Sequence, residues 1–257
     1  MADQQPTRTR RHRKRTKKSG GSTWRKVLAL LLLLIGAALL ALNPVKNMLI
    51  QQGTEVNRIS HLTKEKIQEN KKRDVTYNFE DIESIDAAGV VLDRLTGSAE
   101  ASELPTIGAI AVPDLGINIP IHLGVSNAGM FLGAGTLKPD QEMGKGNYTL
   151  ASHHALDPDL LFGPLLKAKM GQKIYLTDLE KIYEYEIDFV ENVPAEAVYL
   201  LDETGEDIVT LVTCDQGFVD RVVVRGTLTN TTPFEKADKK ILDAFDVEQN
   251  IQEETAA

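Results

Sequence analysis

The longest unbroken apolar run in the chain is VLALLLLLIGAALLAL, from Val27 to Leu42, closed by NPVKNMLI. At ~1.5 Å per residue the run reaches roughly 24 Å, under a ~30 Å hydrocarbon core, and it spans once Trp24 and Val45 to Ile50 are counted at the interfaces. The pattern then becomes polar, with Ile82, Ile85, Ala88, Leu92 and Leu95 recurring at helical spacing as a single stripe. From Leu104 it changes again. IGAIAVPDLGINIPIHLG alternates short β-rich runs with Pro-Asp and Gly breaks, and NYTLAS, KIYL, KIYEYEIDFVENV, DIVTLVTC and RVVVRGTL repeat the pattern. LFGPLLKAKM alone reads as a short helix in this half. Short strands and turns over ~125 residues predict an all-β fold, a closed barrel or a sandwich.

This reading divides the chain into a basic tail (1–26), an apolar anchor (27–45), a helical stalk (46–104), a β domain (105–230) and an acidic C-terminal tail (231–257), whose last part, DAFDVEQNIQEETAA, is expected to fray. No chemistry is expected in the stalk.

Charge fixes how the anchor is read. Residues 1–26 hold ten Lys and Arg against Asp3 alone, in a chain of net charge −8. The remainder therefore carries about −17, which argues against a nucleic-acid partner. A basic flank abutting an apolar segment sets orientation, so the N-terminus is expected in the cytoplasm and the rest outside, on a single-pass cell-membrane protein. A cleaved signal peptide is the weaker reading, because LALNP is a poor cleavage site.

That compartment sharpens the question of Cys214, the only cysteine, at the end of IVTLVTC and before DQG. A lone thiol cannot staple the fold; it is either an inert small hydrophobe or a reactive group. A reactive thiol needs a base or a positive charge nearby. Of the five histidines, His12 lies in the basic tail, His61 in the stalk and His122 in a strand candidate. His153 and His154 stand where the strand of LASHHALD ends, and adjacent side chains there point opposite ways, so one of them can serve. A short turn after Cys214 predicts a hairpin that brings Arg221 back beside it. Arg225 shares that face but lies ~13 Å further along the strand. Zinc held by Cys214, His153 and His154 is disfavoured, since the spacing is wrong and a fourth ligand is not evident. Asp215 reads as a turn residue.

LASHHALD, TLVTC and the Arg that opens RVVVRG together resemble the class A, housekeeping sortases of Gram-positive bacteria. GAGTLKPDQEMGKGNYTLASHH is similar to the streptococcal and lactobacillal branch in particular. The resemblance implies a closed sortase-type β-barrel of about eight strands with short helices. It implies a cysteine transpeptidase that cleaves Leu-Pro-x-Thr-Gly sorting signals of secreted surface proteins between Thr and Gly. The product passes through a thioester to the amine of a cell-wall precursor resembling lipid II. Residue by residue, Cys214 would be the nucleophile, His153 the general acid with His154 as alternative, and Arg221 the oxyanion and peptide ligand. Ala151 and Val212 would line the groove for the signal. No cofactor is implied. Some class A enzymes take an activating calcium on acidic residues before the histidine strand. Here LKPDQEMGKGN offers only Asp140 and Glu142 beside Lys138 and Lys145, so no calcium requirement is expected. The rival expectations are a thiol peptidase hydrolysing the same signal and a non-enzymatic docking or adhesion module.

Overall fold

The alternating segments form eight strands: β1 Thr106–Val112, β2 Ile117–His122, β3 Ala134–Thr136, β4 Asn147–Ala151, β5 Lys173–Thr177, β6 Lys181–Val193, β7 Ile208–Cys214 and β8 Arg221–Pro233. They belong to a computed structural model that describes residues 23–78, 104–153, 158–217 and 219–246. The strands close into a barrel in the order β1-β2-β3-β4-β7-β8-β6-β5. Neighbours are antiparallel except β2–β3 and β4–β7, which run parallel. The all-β barrel expected from the sequence is therefore present.

Closure follows from the residues. Strand alternation sends Ile110, Ile121, Leu150, Leu176, Tyr185, Val209, Leu211 and Val224 into one interior, where Phe162 and Leu165 fill the remaining space. The β1–β2 hairpin turns through Pro113–Leu115 and Gly116, whose φ of 68° suits a residue without Cβ.

Two helical segments precede the barrel in the chain. α1 runs Thr23–Val56 and α2 Lys64–Asn70, the latter capped by Thr63, whose hydroxyl accepts from the Lys66 N–H at 3.2 Å. Asn43-Pro44 does not close the first helix at the anchor boundary; it continues to Val56. Burial at Lys46, Ile50, Gly53 and Asn57 explains the extension, because those positions lie on one helical face. The chain divides into two compact units, 1–41 and 42–257, and that buried face belongs to the second. The leucines from Leu28 to Leu34 are exposed, and among the described residues Trp24–Val56 is the helix long and apolar enough to cross a membrane. The stripe from Ile82 to Leu95 lies outside the described residues.

Two further helices come from segments read otherwise. α3, Asn127–Leu132, precedes β3; it starts at Ser126, whose Oγ accepts from the Gly129 N–H at 3.0 Å. α4, Lys239–Asp243, lies in the acidic C-terminal tail and runs up to the part expected to fray. β8 runs past residue 230 to Pro233, and Phe245 is fully buried with Ile59, Ile67, Ala109, Ala111, Ile182 and Leu242. The expectation of fraying thus fails for residues 243–246; 247–257 lie outside the described residues. The apolar Phe234, Ile241, Leu242 and Phe245 supply a face that net charge conceals, and it welds the C-terminal segment to η-turn Ile59–His61, α2, β1 and β6.

Phe245→Ala should lower stability by about 3–5 kcal/mol through the lost burial and the cavity left behind. Thermal or urea melting of the variant checks this, and an unchanged midpoint would return Phe245 to a frayed tail.

Candidate active site

β4 and β7 pair in parallel with Asn147 opposite Ile208 and Ala151 opposite Val212. The ladder extends one bond further, from Ser152 N–H to Val212 O at 3.3 Å. Val209 and Leu211 face the interior, so Thr210, Val212 and Cys214 share the outer face. On β4 the matching outer positions are Thr149 and Ala151; the paired register ends at Ala151 and Val212, and His153 follows two residues past the end of β4, at the rim to which β7 delivers Cys214. His154 lies outside the described residues.

The second neighbour of β7 is β8. Its antiparallel register sets Cys214 directly opposite Arg221, Val212 opposite Val223 and Thr210 opposite Arg225. The intervening turn is built on Asp215, whose Oδ1 accepts from the N–H groups of Val219 at 2.9 Å and Asp220 at 3.2 Å. Its own N–H donates to Asp220 O at 3.0 Å, the role expected of a turn residue. Arg221 Nη1 donates to the carbonyls of Val219 at 3.3 Å and Asp220 at 3.1 Å. Cys214 and Arg221 therefore face each other on adjacent strands, and His153 follows the end of β4, the other neighbour of β7, at the same rim.

Arg225 serves elsewhere. Its guanidinium donates to Leu200 O and lies 5.5 Å from the ring centre of Phe189, holding the 3-10 turn Val198–Leu201 against the sheet. That turn and α3 flank an apolar outer wall in which Ala151 and Val212 pack with Val125, Met130, Leu137 and Leu201.

The remaining histidines do not enter this rim. His61 is exposed in the Ile59–His61 turn. His122 is buried behind α3, its Nδ1 3.0 Å from Thr106 Oγ1, and burial pushes its pKa down to about 3. Sequence reading missed Phe131 of α3, whose ring stacks on His153 with centroids 5.3 Å apart and planes at 27°.

The sortase domain pattern matches residues 110–229, which contain the whole rim. Sortase A of Streptococcus agalactiae serotype III (strain NEM316) is 39% identical over 233 residues, covering 88% of this chain and 93% of that protein. The chain belongs to the sortase family. Sortase A of Listeria monocytogenes serovar 1/2a (strain ATCC BAA-679 / EGD-e) is 35% identical over 223 residues, 86% of this chain and 97% of that protein. The solved structure of Listeria monocytogenes sortase A superposes with a TM-score of 0.52 at 38% identity, covering 56% of this chain and 99% of that chain. The protein is thus a transpeptidase of a family that acts on surface-protein sorting signals. The docking-module reading is set aside. The apolar N-terminal helix, in a sortase A relative, fits a membrane-anchored protein.

The electrostatics of this sortase's rim favour a neutral pair at rest. Burial pushes the Cys214 thiol up, Arg221 partly offsets this, and Asp215 adds to it. His153 is 9% exposed, and burial pushes its pKa down to about 4. At neutral pH the thiol therefore holds its proton and the imidazole is uncharged. The single proton needed for the chemistry is present, on sulfur.

Calcium does not fit the residues before β4. Lys138 Nζ lies 2.6 Å from Glu203 Oε1 and donates to Leu201 O at 3.1 Å, so a side-chain cation already bridges this loop to the one before β7. Glu203 also accepts from Asn147 N–H at 2.8 Å, and Lys138 and this bond hold its carboxyl below the usual carboxylate range. No group of three or more His, Cys, Asp or Glu suited to a metal occurs among the described residues.

The pH dependence of Cys214 alkylation tests the electrostatic reading. Reaction with iodoacetamide should rise only above the ordinary thiol range of ~8.5, and Arg221→Met should move the rise to still higher pH. A fast reaction at pH 6 would contradict a thiol kept protonated by burial.

Proposed function

We propose that this sortase cleaves Leu-Pro-x-Thr-Gly-type signals between Thr and Gly and transfers the acyl group to a cell-wall precursor amine. The observation that supports the reading is the strand arrangement: Cys214 lies opposite Arg221 on β8, and β4, paired in parallel on the other side of β7, ends two residues before His153. Cys214 passes its proton to His153, and Sγ attacks the Thr carbonyl carbon. Negative charge develops on the carbonyl oxygen beside Arg221, a permanent cation with a fork of donors. The C–N bond breaks as the His153 imidazolium gives its proton to the leaving glycine amine, and a thioester remains. An incoming amine attacks the thioester, His153 takes up its proton, and Cys214 returns to the thiol as the new amide forms.

The thioester conserves the energy of the broken amide, so the second amide forms without another energy source. Ala151 and Val212, paired across β4 and β7 beside the thiol, offer the apolar wall for the Leu-Pro part. The basic tail at residues 1–26 would hold the N-terminus in the cytoplasm and the barrel outside, where both substrates are presented.

The test is the whole protein in detergent with a Leu-Pro-x-Thr-Gly peptide and triglycine, products followed by mass. Expected are cleavage after Thr and ligation of triglycine, abolished by Cys214→Ala, with Arg221→Ala lowering kcat roughly 10²–10³-fold. Hydrolysis without ligation would replace transpeptidation by a thiol peptidase activity. Calcium titrated into the same assay should leave turnover unchanged, because Lys138 already supplies the charge that bridges the two loops. Strong activation would overturn that expectation.

A further inference from the structure

His153 lies two residues past the end of β4, just beyond the bond that Ser152 makes to β7. Its backbone is held: Ser152 N–H bonds Val212 O, and the His153 carbonyl accepts from Phe162 N–H at 3.3 Å. Its ring is another matter, since the buried Nε2 has no hydrogen-bond partner among the described residues. Imidazoles that work as proton carriers are commonly oriented by a hydrogen bond to the second ring nitrogen. Here the plane of the ring is met by Phe131, itself 8% exposed, at a stacking separation of 5.3 Å.

Phe131 is in turn fixed from three sides. Ser126 caps the start of α3. Ser152, next to His153, donates from Oγ to Gly133 O at 2.6 Å, tying the end of α3 to the end of β4. Behind α3 lies the buried His122, so close to Gly133 that a Cβ there would come within 2.8 Å of Nε2 and 2.4 Å of Pro120 O. α3 can settle this near β2 only because position 133 has no side chain.

We infer that Phe131 is a positioning residue for the general acid, its ring fixing the imidazole plane of His153 by stacking where a hydrogen bond would otherwise do so. The inference rests on the reading of His153 as the proton carrier. It also accounts for the helix that sequence periodicity missed: α3 is the support on which this ring is mounted. Stacking shields one face of the imidazole from water and adds no charge. Among the described residues, Cys214 on β7 and Arg221 on β8 are the ionisable groups at the same rim as His153; α3 contributes none, His122 stands on its far side, and in the following loop Asp159 pairs with Lys167 at 3.0 Å.

The test uses the full-length protein carrying Phe131→Leu, Phe131→Tyr or His153→Ala, each checked by thermal melting. Phe131→Leu should lower kcat by roughly 10²-fold, the scale of a misoriented catalytic group, with KM near wild type. Phe131→Tyr should restore most of the loss, because the stack and not the side-chain volume is what matters. In NMR titrations the His153 ring should take up its proton at higher pH in Phe131→Leu than in wild type, as one face becomes hydrated. A wild-type kcat in Phe131→Leu, a loss confined to KM, an unmoved His153 titration or a failed rescue by Tyr would each overturn the inference. If His153→Ala retains transpeptidation, the general-acid reading itself falls. If His153→Ala is inactive while Phe131→Leu is normal, only the positioning role falls.

Discussion

The parallel pairing of β4 with β7 is the constraint on which the rest depends. Two strands far apart in sequence run in the same direction, so both release their C-terminal residues at one rim of the barrel. An antiparallel pairing would have sent His153 and Cys214 to opposite ends. A slip of one residue would have turned one of them toward the interior packed by Leu150 and Leu211. The hairpin from β7 to β8 then needs only a turn braced by Asp215 to add Arg221.

Around that rim two requirements oppose each other. An apolar wall of Ala151, Val212, Met130 and Leu137 suits a Leu-Pro segment, but low polarity disfavours charge on the groups beside it. The fold resolves the conflict by group. Arg221, which stays charged at any working pH, sits at a strand start where the Val219 and Asp220 carbonyls accept its hydrogen bonds. Burial favours the neutral forms of Cys214 and His153.

How much of this the sequence discloses differs by element. The Cys214–Arg221 juxtaposition is readable, since strand alternation and a short turn determine an antiparallel register locally. The approach of His153 is not readable from local pattern, because a parallel pair is joined by a long connection and its register depends on the packed barrel. Resemblance to a family supplied it. α3 escapes detection because NAGMFL is six residues long with a glycine inside, too short for a periodic signal. The segment after residue 230 was misread because its acidic count outweighs four apolar residues, and burial of Phe245 depends on where those four fall. The preference for His153 over His154 comes from the resemblance, in which the histidine follows Ala and a small residue, and not from the strand pattern.

A thiol kept protonated by its surroundings has consequences for durability. Oxidants such as peroxide attack the thiolate, and the first oxidation product becomes a disulfide when a second thiol is near. Cys214 offers little thiolate at rest, and the chain holds no other cysteine to capture it. The same burial that keeps the thiol protonated thus lowers its exposure to oxidation, exchanging turnover for service life.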